Sequence, residues 1–261
     1  MTGREFPCMI QEKVAFDTEK KIFIVIYGVS CAGKSPTINA LKSQGIDFYE
    51  PPVIKSWECR PDCKPRKEDE KVWNNPQNFL PKNSDIEALE DNPQYITTKF
   101  RGHSQAFNLE NVLNSPKKTI LRDLYYTFIP KLKQSKYFYD KVEIRTIFFS
   151  PFTKEEIKEG LGKDSFKKHV YSKMLKILEN RSFKQKGDEA YSKGVMQDNR
   201  VRAITAYDEI EASRYADHIV YNPFPEGDDA WDNFDINRKI DSEGESLKDV
   251  LNQLEKIICR D

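Results

Sequence analysis

At 261 residues the chain can bury a full core as one α/β domain with insertions, and is too short for a string of tandem domains. Lys plus Arg and Asp plus Glu are equal at 42 each, so no net field draws the whole molecule onto DNA, RNA or an anionic membrane. Aromatics at 12% still supply core volume to a polar chain, and no apolar run approaches the length of a membrane span.

Met1 to Lys20 lacks the apolar stretch of a secretory signal, and the five scattered cysteines, Cys8, Cys31, Cys59, Cys63 and Cys259, read as reduced thiols. Both point to the cytosol. Cys59-Arg-Pro-Asp-Cys63 has one side of a zinc spacing but no second pair. Charge is unevenly spread. Lys163 to Arg202 holds eleven Lys/Arg against five Asp/Glu, whereas Glu226 to Asp249 holds nine acids against three bases. Two solvated faces of opposite sign explain this, as does a basic segment that closes over phosphates.

The first element is a β-branched and aromatic run, Lys21 to Tyr27, which predicts a buried strand. Directly after it, Gly28-Val-Ser30-Cys31-Ala32-Gly33-Lys34-Ser35 matches the phosphate-loop pattern GxxxxGK[ST] at every required position. Such a loop lets backbone N–H groups curl around a triphosphate, while Lys34 faces the terminal oxygens and Ser35 offers a hydroxyl to Mg²⁺. A helix is predicted from about Ser35, with Pro36 tolerated in its first turn.

Ile46 to Glu50 reads as a short strand stopped by Pro51-Pro52. From Pro51 to Asn83 regular patterning ceases, and Trp57 and Trp73 stand isolated among Pro, Asn, Lys and Glu, as in a ligand-binding excursion. Ser84-Asp-Ile-Glu87 has the spacing of a capping box for a helix through Leu89, and Tyr95 to Phe100 reads as a strand. The α/β rhythm then resumes with a strand over Lys118 to Leu124, a helix around Pro130 to Tyr139 and a strand over Val142 to Phe149. Thr153-Lys-Glu-Glu156 is a second capping box. Phe166, Val170, Met174, Ile177 and Leu178 share one helical face.

Between Asn180 and Met196 the apolar periodicity fades, which predicts a mobile loop. A helix over Arg200 to Ala212, a strand over Asp217 to Tyr221, a long acidic link from Pro223 to Asn237 and a closing amphipathic helix through Leu247, Val250, Leu251, Leu254, Ile257 and Ile258 complete the pass.

Three regions together resemble the guanylate kinase family of nucleoside monophosphate kinases. They are Gly28 to Ser35 with its strand; Arg202-Ala-Ile-Thr-Ala206-Tyr-Asp-Glu209 followed by Ala216 to Asn222; and the approach from Gly102 to Leu113 into the strand Thr119 to Leu124. The resemblance implies a P-loop three-layer α/β/α fold with a mostly parallel central sheet. Its core would be 1–50, 112–152 and 203–261, with a small inserted acceptor lobe at 51–111 and an enlarged lid at 153–202. It implies transfer of the γ-phosphoryl of Mg²⁺-ATP to GMP or a related small phosphorylated acceptor. A monomer or dimer with no membrane partner is expected, and the neutral charge balance argues against a nucleic-acid partner. Phosphoryl transfer of this kind needs positioning, charge neutralisation and exclusion of water.

By the same resemblance Lys34, Arg202, Asp123 and the lid residue Arg181 would be catalytic. Gly28, Ser30, Cys31, Ala32, Gly33, Lys34, Ser35 and Asn222 would bind ATP, with Ser35 on Mg²⁺ and Asn222 near the adenine. Ser56, Arg60, Arg66 and Glu68 would bind the acceptor. The acceptor lobe departs from the family most: Gln105-Ala106 stands where the family has a tyrosine-glycine pair, and Thr97 or Thr98 where it has the acid that reads guanine. A hydroxyl in place of that acid would remove much base discrimination, so a different acceptor stays open. So do a binding module of the same fold and a kinase acting on a non-nucleotide or nucleic-acid acceptor.

Overall fold

The structure is a computed structural model that describes residues 20–56, 79–80, 82–231 and 247–259. Strand β1 spans Lys21–Gly28, and every side chain from Phe23 to Tyr27 is fully buried. An unbroken apolar run of this kind suits a strand covered on both faces. β1 lies between two parallel neighbours, β6 (Thr119–Asp123) and β7 (Val142–Ser150), and β8 (His218–Tyr221) adds in parallel beyond β7.

The strand expected over Ile46 to Glu50 is reduced to one parallel bridge, Tyr49 to Ile120 on the outer edge of β6. Pro51-Pro52 follow at once and lack the N–H groups needed to extend the ladder. The edge-to-edge order is therefore Tyr49, β6, β1, β7, β8. The crossover from β1 runs to the Tyr49 edge, whereas that from β6 runs back past β1 to β7, so the carboxyl ends of β1 and β6 form a topological switch point, where α/β sheets hold their ligands.

Helix α1 (Lys34–Ser43) leaves that point. The closing helix α9 (Leu247–Ile258) buries Leu247, Val250, Leu251, Leu254, Ile257 and Ile258, as its sequence pattern predicts, and packs on α1 and β8. Phe128–Gln134 (α4) and Lys136–Tyr139 (α5) occupy the crossover from β6 to β7. Right-handed crossovers running in opposite directions put α1 and α4 on opposite faces of the sheet, which makes the core a three-layer α/β/α P-loop fold.

A second sheet, ordered β3-β2-β5-β4, is drawn from Ile54–Ser56 (β2), Phe79–Leu80 (β3), Tyr95–Phe100 (β4) and His103–Asn108 (β5). β4 and β5 form an antiparallel hairpin, β5 pairs antiparallel with β2, and β2 pairs parallel with β3. Phe107 on β5 stacks on Phe23 of β1 at 5.4 Å, and Phe138 meets the same ring edge-on at 5.8 Å. Each such pair adds about 0.5–1.5 kcal/mol beyond area burial, and this one fastens the small sheet to the core. α2 spans Asn83–Glu87. Its cap is Lys82, whose N–H donates to Asp85 at 3.1 Å; the helix therefore starts before the Ser84 and Glu87 expected to box it, and lysine offers no acceptor for the reciprocal bond. α3 is the single turn Glu110–Leu113.

After β7 the chain makes α6 (Lys154–Gly160), opened by the predicted box. The Glu156 N–H donates to Thr153 Oγ1 at 3.1 Å, and the Thr153 N–H donates back to Glu156 at 2.6 Å. The mobile loop expected from Asn180 to Met196 is not present. α7 runs unbroken from Asp164 to Lys186, a 3₁₀ turn follows at Gly187–Tyr191, and α8 spans Lys193–Glu211. α7 and α8 pack against each other partly through small and polar groups. Ser182 and Asn199 are buried and hydrogen-bonded to each other, and Ala190, which lies between them in sequence, is buried as well. A contact built this way leaves no apolar stripe to read.

Gly28 fixes the close approach of loop and sheet. Its φ is +141°, and a Cβ there would lie 2.1 Å from the carbonyl oxygen of Phe149 on β7. Gly28→Ala is expected to destabilise the fold by about 3 kcal/mol or more, the upper range for single substitutions. Urea unfolding checks this.

Candidate active site

The loop from Gly28 to Gly33 crosses the carboxyl end of β1 and feeds α1. Gly33 adopts φ +81°, and a Cβ on it would meet Asn222 Nδ2 at 2.4 Å and the Phe224 carbonyl at 2.6 Å. Cys31 also has positive φ, at 62°. Lys34 Nζ donates to the carbonyls of Gly28 and Val29 at 3.0 and 2.9 Å. Thr37 Oγ1 donates to the Gly33 carbonyl at 2.6 Å and fixes the first turn of α1. The loop thus has the shape that brings backbone N–H groups and the positive end of a helix to one place.

Two cradling contacts hold the loop from outside. Asn222 is fully buried. Its Nδ2 donates to the carbonyls of Ala32 at 2.7 Å and Phe224 at 3.0 Å, and its Oδ1 accepts from the Phe224 N–H. Both carboxamide donors and its oxygen are engaged, so this residue, expected beside the adenine, shapes the loop instead. The Glu226 N–H donates to the Cys31 carbonyl at 2.9 Å.

Asp123 ends β6 in register with Ile26 of β1. A cleft of about 190 Å³ opens there, lined by Ser35, Asn39, Glu50, Lys55, Arg122 and Asp123. Burial raises the Asp123 carboxyl above the usual carboxylate range, with Lys34, Arg122 and Lys55 pulling the other way and Glu50 adding to the rise. Glu50 bridges Arg122 and Lys42, each at 2.5 Å. Among the described residues no cluster of three or more His, Cys, Asp and Glu forms a self-sufficient metal site. The Ser35 hydroxyl and the Asp123 carboxylate are hard oxygen donors on one cleft, the donor set that suits Mg²⁺ when phosphate and water complete the shell.

The long helices bring arginines to the other side of the loop. On α7, Arg181 donates to Cys31 Sγ at 3.4 Å and to Glu226 at 3.1 Å, while its buried Nε has no hydrogen-bond partner among the described residues. Lys184, one turn on, bonds the Gly227 carbonyl at 2.7 Å and Asp229 at 2.6 Å. On α8, Arg202 donates to Asp198 at 2.9 Å and lies within electrostatic reach of Cys31 and Tyr125. Burial pushes the Cys31 thiol up, against Arg181, so this cysteine stays a thiol.

The acceptor-side expectations divide. Ser56 is buried, and its hydroxyl donates to Asn83 Oδ1 within the small sheet, so it supports the lobe. Its neighbour Lys55 reaches the cleft instead. Lys55, Gln105 and Thr98 are cross-strand partners on one face of that sheet, and Thr98 Oγ1 donates to Thr127 at 2.6 Å. Arg60, Arg66, Glu68 and the Cys59/Cys63 pair lie outside the described residues.

Sequence reasoning misses the residue that ties these parts together. Arg101, at the tip of the β4–β5 hairpin, donates from Nη1 to Ser30 Oγ at 2.8 Å, from Nε to Thr205 Oγ1 at 2.8 Å, and from Nη2 to Glu209. Arg101 and Glu209 are 9% and 5% exposed. Tyr125, also missed, is half-buried and lies within electrostatic reach of Arg101, Arg202, Asp123 and Glu209; loss of solvent raises its pKa, opposed by the two arginines. The signal for Arg101 is the Arg-Gly step between two strands, which reads only as a turn.

Fold and loop together define a P-loop protein of α/β/α architecture. A solved guanylate kinase from Anaplasma phagocytophilum matches over 92% of this chain and 85% of that one, at 10% identity and a TM-score of 0.46. At that distance the likeness is one of overall fold and carries nothing about substrate. No protein-family model matches the chain, and no curated protein sequence does. No described helix is long and apolar enough to cross a membrane.

Proposed function

We propose that this protein is a phosphotransferase that moves the γ-phosphoryl of Mg²⁺-ATP onto GMP or a related small phosphorylated acceptor. The observation that carries the reading is the convergence on one loop of Lys34 and Ser35 from α1, Asp123 from β6, and Arg181 and Arg202 from the long helices. Charge neutralisation and positioning are what this chemistry requires.

In this reading the loop N–H groups and Lys34 would hold the triphosphate, and Ser35 with Asp123 would hold Mg²⁺, whose chemistry there would be to neutralise charge on the phosphate oxygens. Arg181 and Arg202 flank Cys31 and would neutralise the charge that develops on transfer. The acceptor would enter the cleft beside Lys55, where Asp123 orients its attacking oxygen. Thr98 and Gln105, without a carboxylate, give a base less to hold than the guanine-reading acid of the family the sequence resembles.

Arg202→Ala is expected to lower kcat about 10²-fold while changing the dissociation constant for ATP only a few-fold, because a lid cation acts mainly in the transition state. Turnover and equilibrium binding measured on one preparation check this. The function itself is tested by product analysis with Mg²⁺-ATP and each of GMP, dGMP, AMP, CMP, UMP and a panel of sugar phosphates, with Lys34→Ala as control. ADP formed together with GDP supports the guanylate kinase reading. ADP formed only with another acceptor moves the specificity, and no phosphorylated product from any of them favours the binding module.

A further inference from the structure

The Arg101–Gly102 step is a two-residue hairpin turn with φ of +51° and +78°. A turn of this hand wants positive φ at both central positions, where Asn-Gly or Gly-Gly sits most easily. An arginine there is strained, yet its guanidinium is well placed. It reaches out of the small sheet to Ser30 of the loop and to Thr205 and Glu209 of α8. Lys34 Nζ, on the carbonyls of Gly28 and Val29, marks the end of the loop where the terminal phosphate lies. Ser30 is the next residue. Three of the five guanidinium N–H groups have partners among the described residues, which leaves one on each terminal nitrogen.

We infer that Arg101 is a terminal-phosphate arginine supplied by the small lobe, held over Ser30 by Glu209 and Thr205, so that docking of the lobe completes the γ-phosphate site. This rests on the reading of the loop as an ATP site. Glu209 serves as the counter-charge that keeps the guanidinium buried while no phosphate is present. A buried charge without its partner is strongly unfavourable, which explains why the two side chains face each other across separate elements. The contact also makes lobe position and nucleotide state interdependent, since the same side chain joins the lobe to the loop and to α8.

The test is equilibrium titration, with Mg²⁺ present, of ADP and of a non-hydrolysable ATP analogue into the intact chain and three variants. Arg101→Asn keeps the turn in a conformation asparagine favours. It is expected to lose about 10- to 100-fold in affinity for the ATP analogue, the range of a charge-assisted hydrogen bond, with ADP binding little changed. Glu209→Gln removes the competing carboxylate and is expected to raise the preference for the ATP analogue over ADP. An unchanged preference in both variants, or an equal loss of both nucleotides in Arg101→Asn, overturns the inference and leaves Arg101 as a structural tie. If wild type and Lys34→Ala fail alike to bind either nucleotide, the ATP-site reading falls first and the inference with it.

Discussion

Lys34→Ala is expected to reduce phosphoryl transfer by about 10³-fold or more while the protein stays folded. The ammonium lies on the carbonyls of Gly28 and Val29 inside the loop itself, where it would meet the terminal oxygens directly, whereas the arginines reach the loop from outside. Loss of a single preorganised group at the site of developing charge typically costs about 10²–10³ in rate, and loss of a cation on the transferring phosphoryl more. The fold loses little. Among the described residues Lys34 bonds to the carbonyls of Gly28 and Val29, and alanine is favourable in α1. Rates of ADP formation paired with melting curves check both halves, and substantial turnover by the folded variant would remove the loop from the mechanism.

Asp123→Asn is expected to act in opposite directions on turnover and stability. Transfer falls by at least about 10²-fold, because a neutral amide replaces the carboxylate that would hold Mg²⁺ and orient the acceptor. The melting temperature rises at neutral pH. The sign follows from the raised pKa: burial makes the ionised carboxylate more costly in the folded chain than in the unfolded one. The cost is fully present above the folded pKa and shrinks as pH falls through it. It vanishes below the unfolded value of about 4. The advantage of Asp123→Asn in melting temperature should therefore be largest near pH 7 and fade toward pH 4. A loss of stability at pH 7 would mean that Lys34, Arg122 and Lys55 outweigh burial.

The core was legible in the sequence because its signals are local. The apolar run of β1, the loop behind it and the stripe of α9 each predict one element, and each element forms as expected. What escaped is decided by partners distant in sequence. The helical stretch from Asn180 to Lys186 looks like a loop because its buried contacts are Ser182 to Asn199 rather than an apolar stripe. The strand at Ile46 to Glu50 shrinks to Tyr49 because prolines follow.

The site divides in the same way. Lys34, Ser35 and Asp123 follow from the loop and from the end of a strand. Arg181 and Arg202 do come to the loop, one on Cys31 and one in reach of it. Asn222 and Ser56 turn inward to support loop and lobe, which no spacing in the chain reveals. Arg101 meets Glu209 across 108 residues, and only the docking of the small sheet against α8 brings them together.

Every role assigned at this site depends on the loop from Gly28 to Ser35 holding a nucleoside triphosphate. The most direct measurement is calorimetric titration of Mg²⁺-ATP into the purified chain and into Lys34→Ala, side by side. The account predicts saturable binding of one ATP per chain that is lost or greatly weakened in the variant. Equal binding by both proteins, or none by either while both are folded, would contradict it.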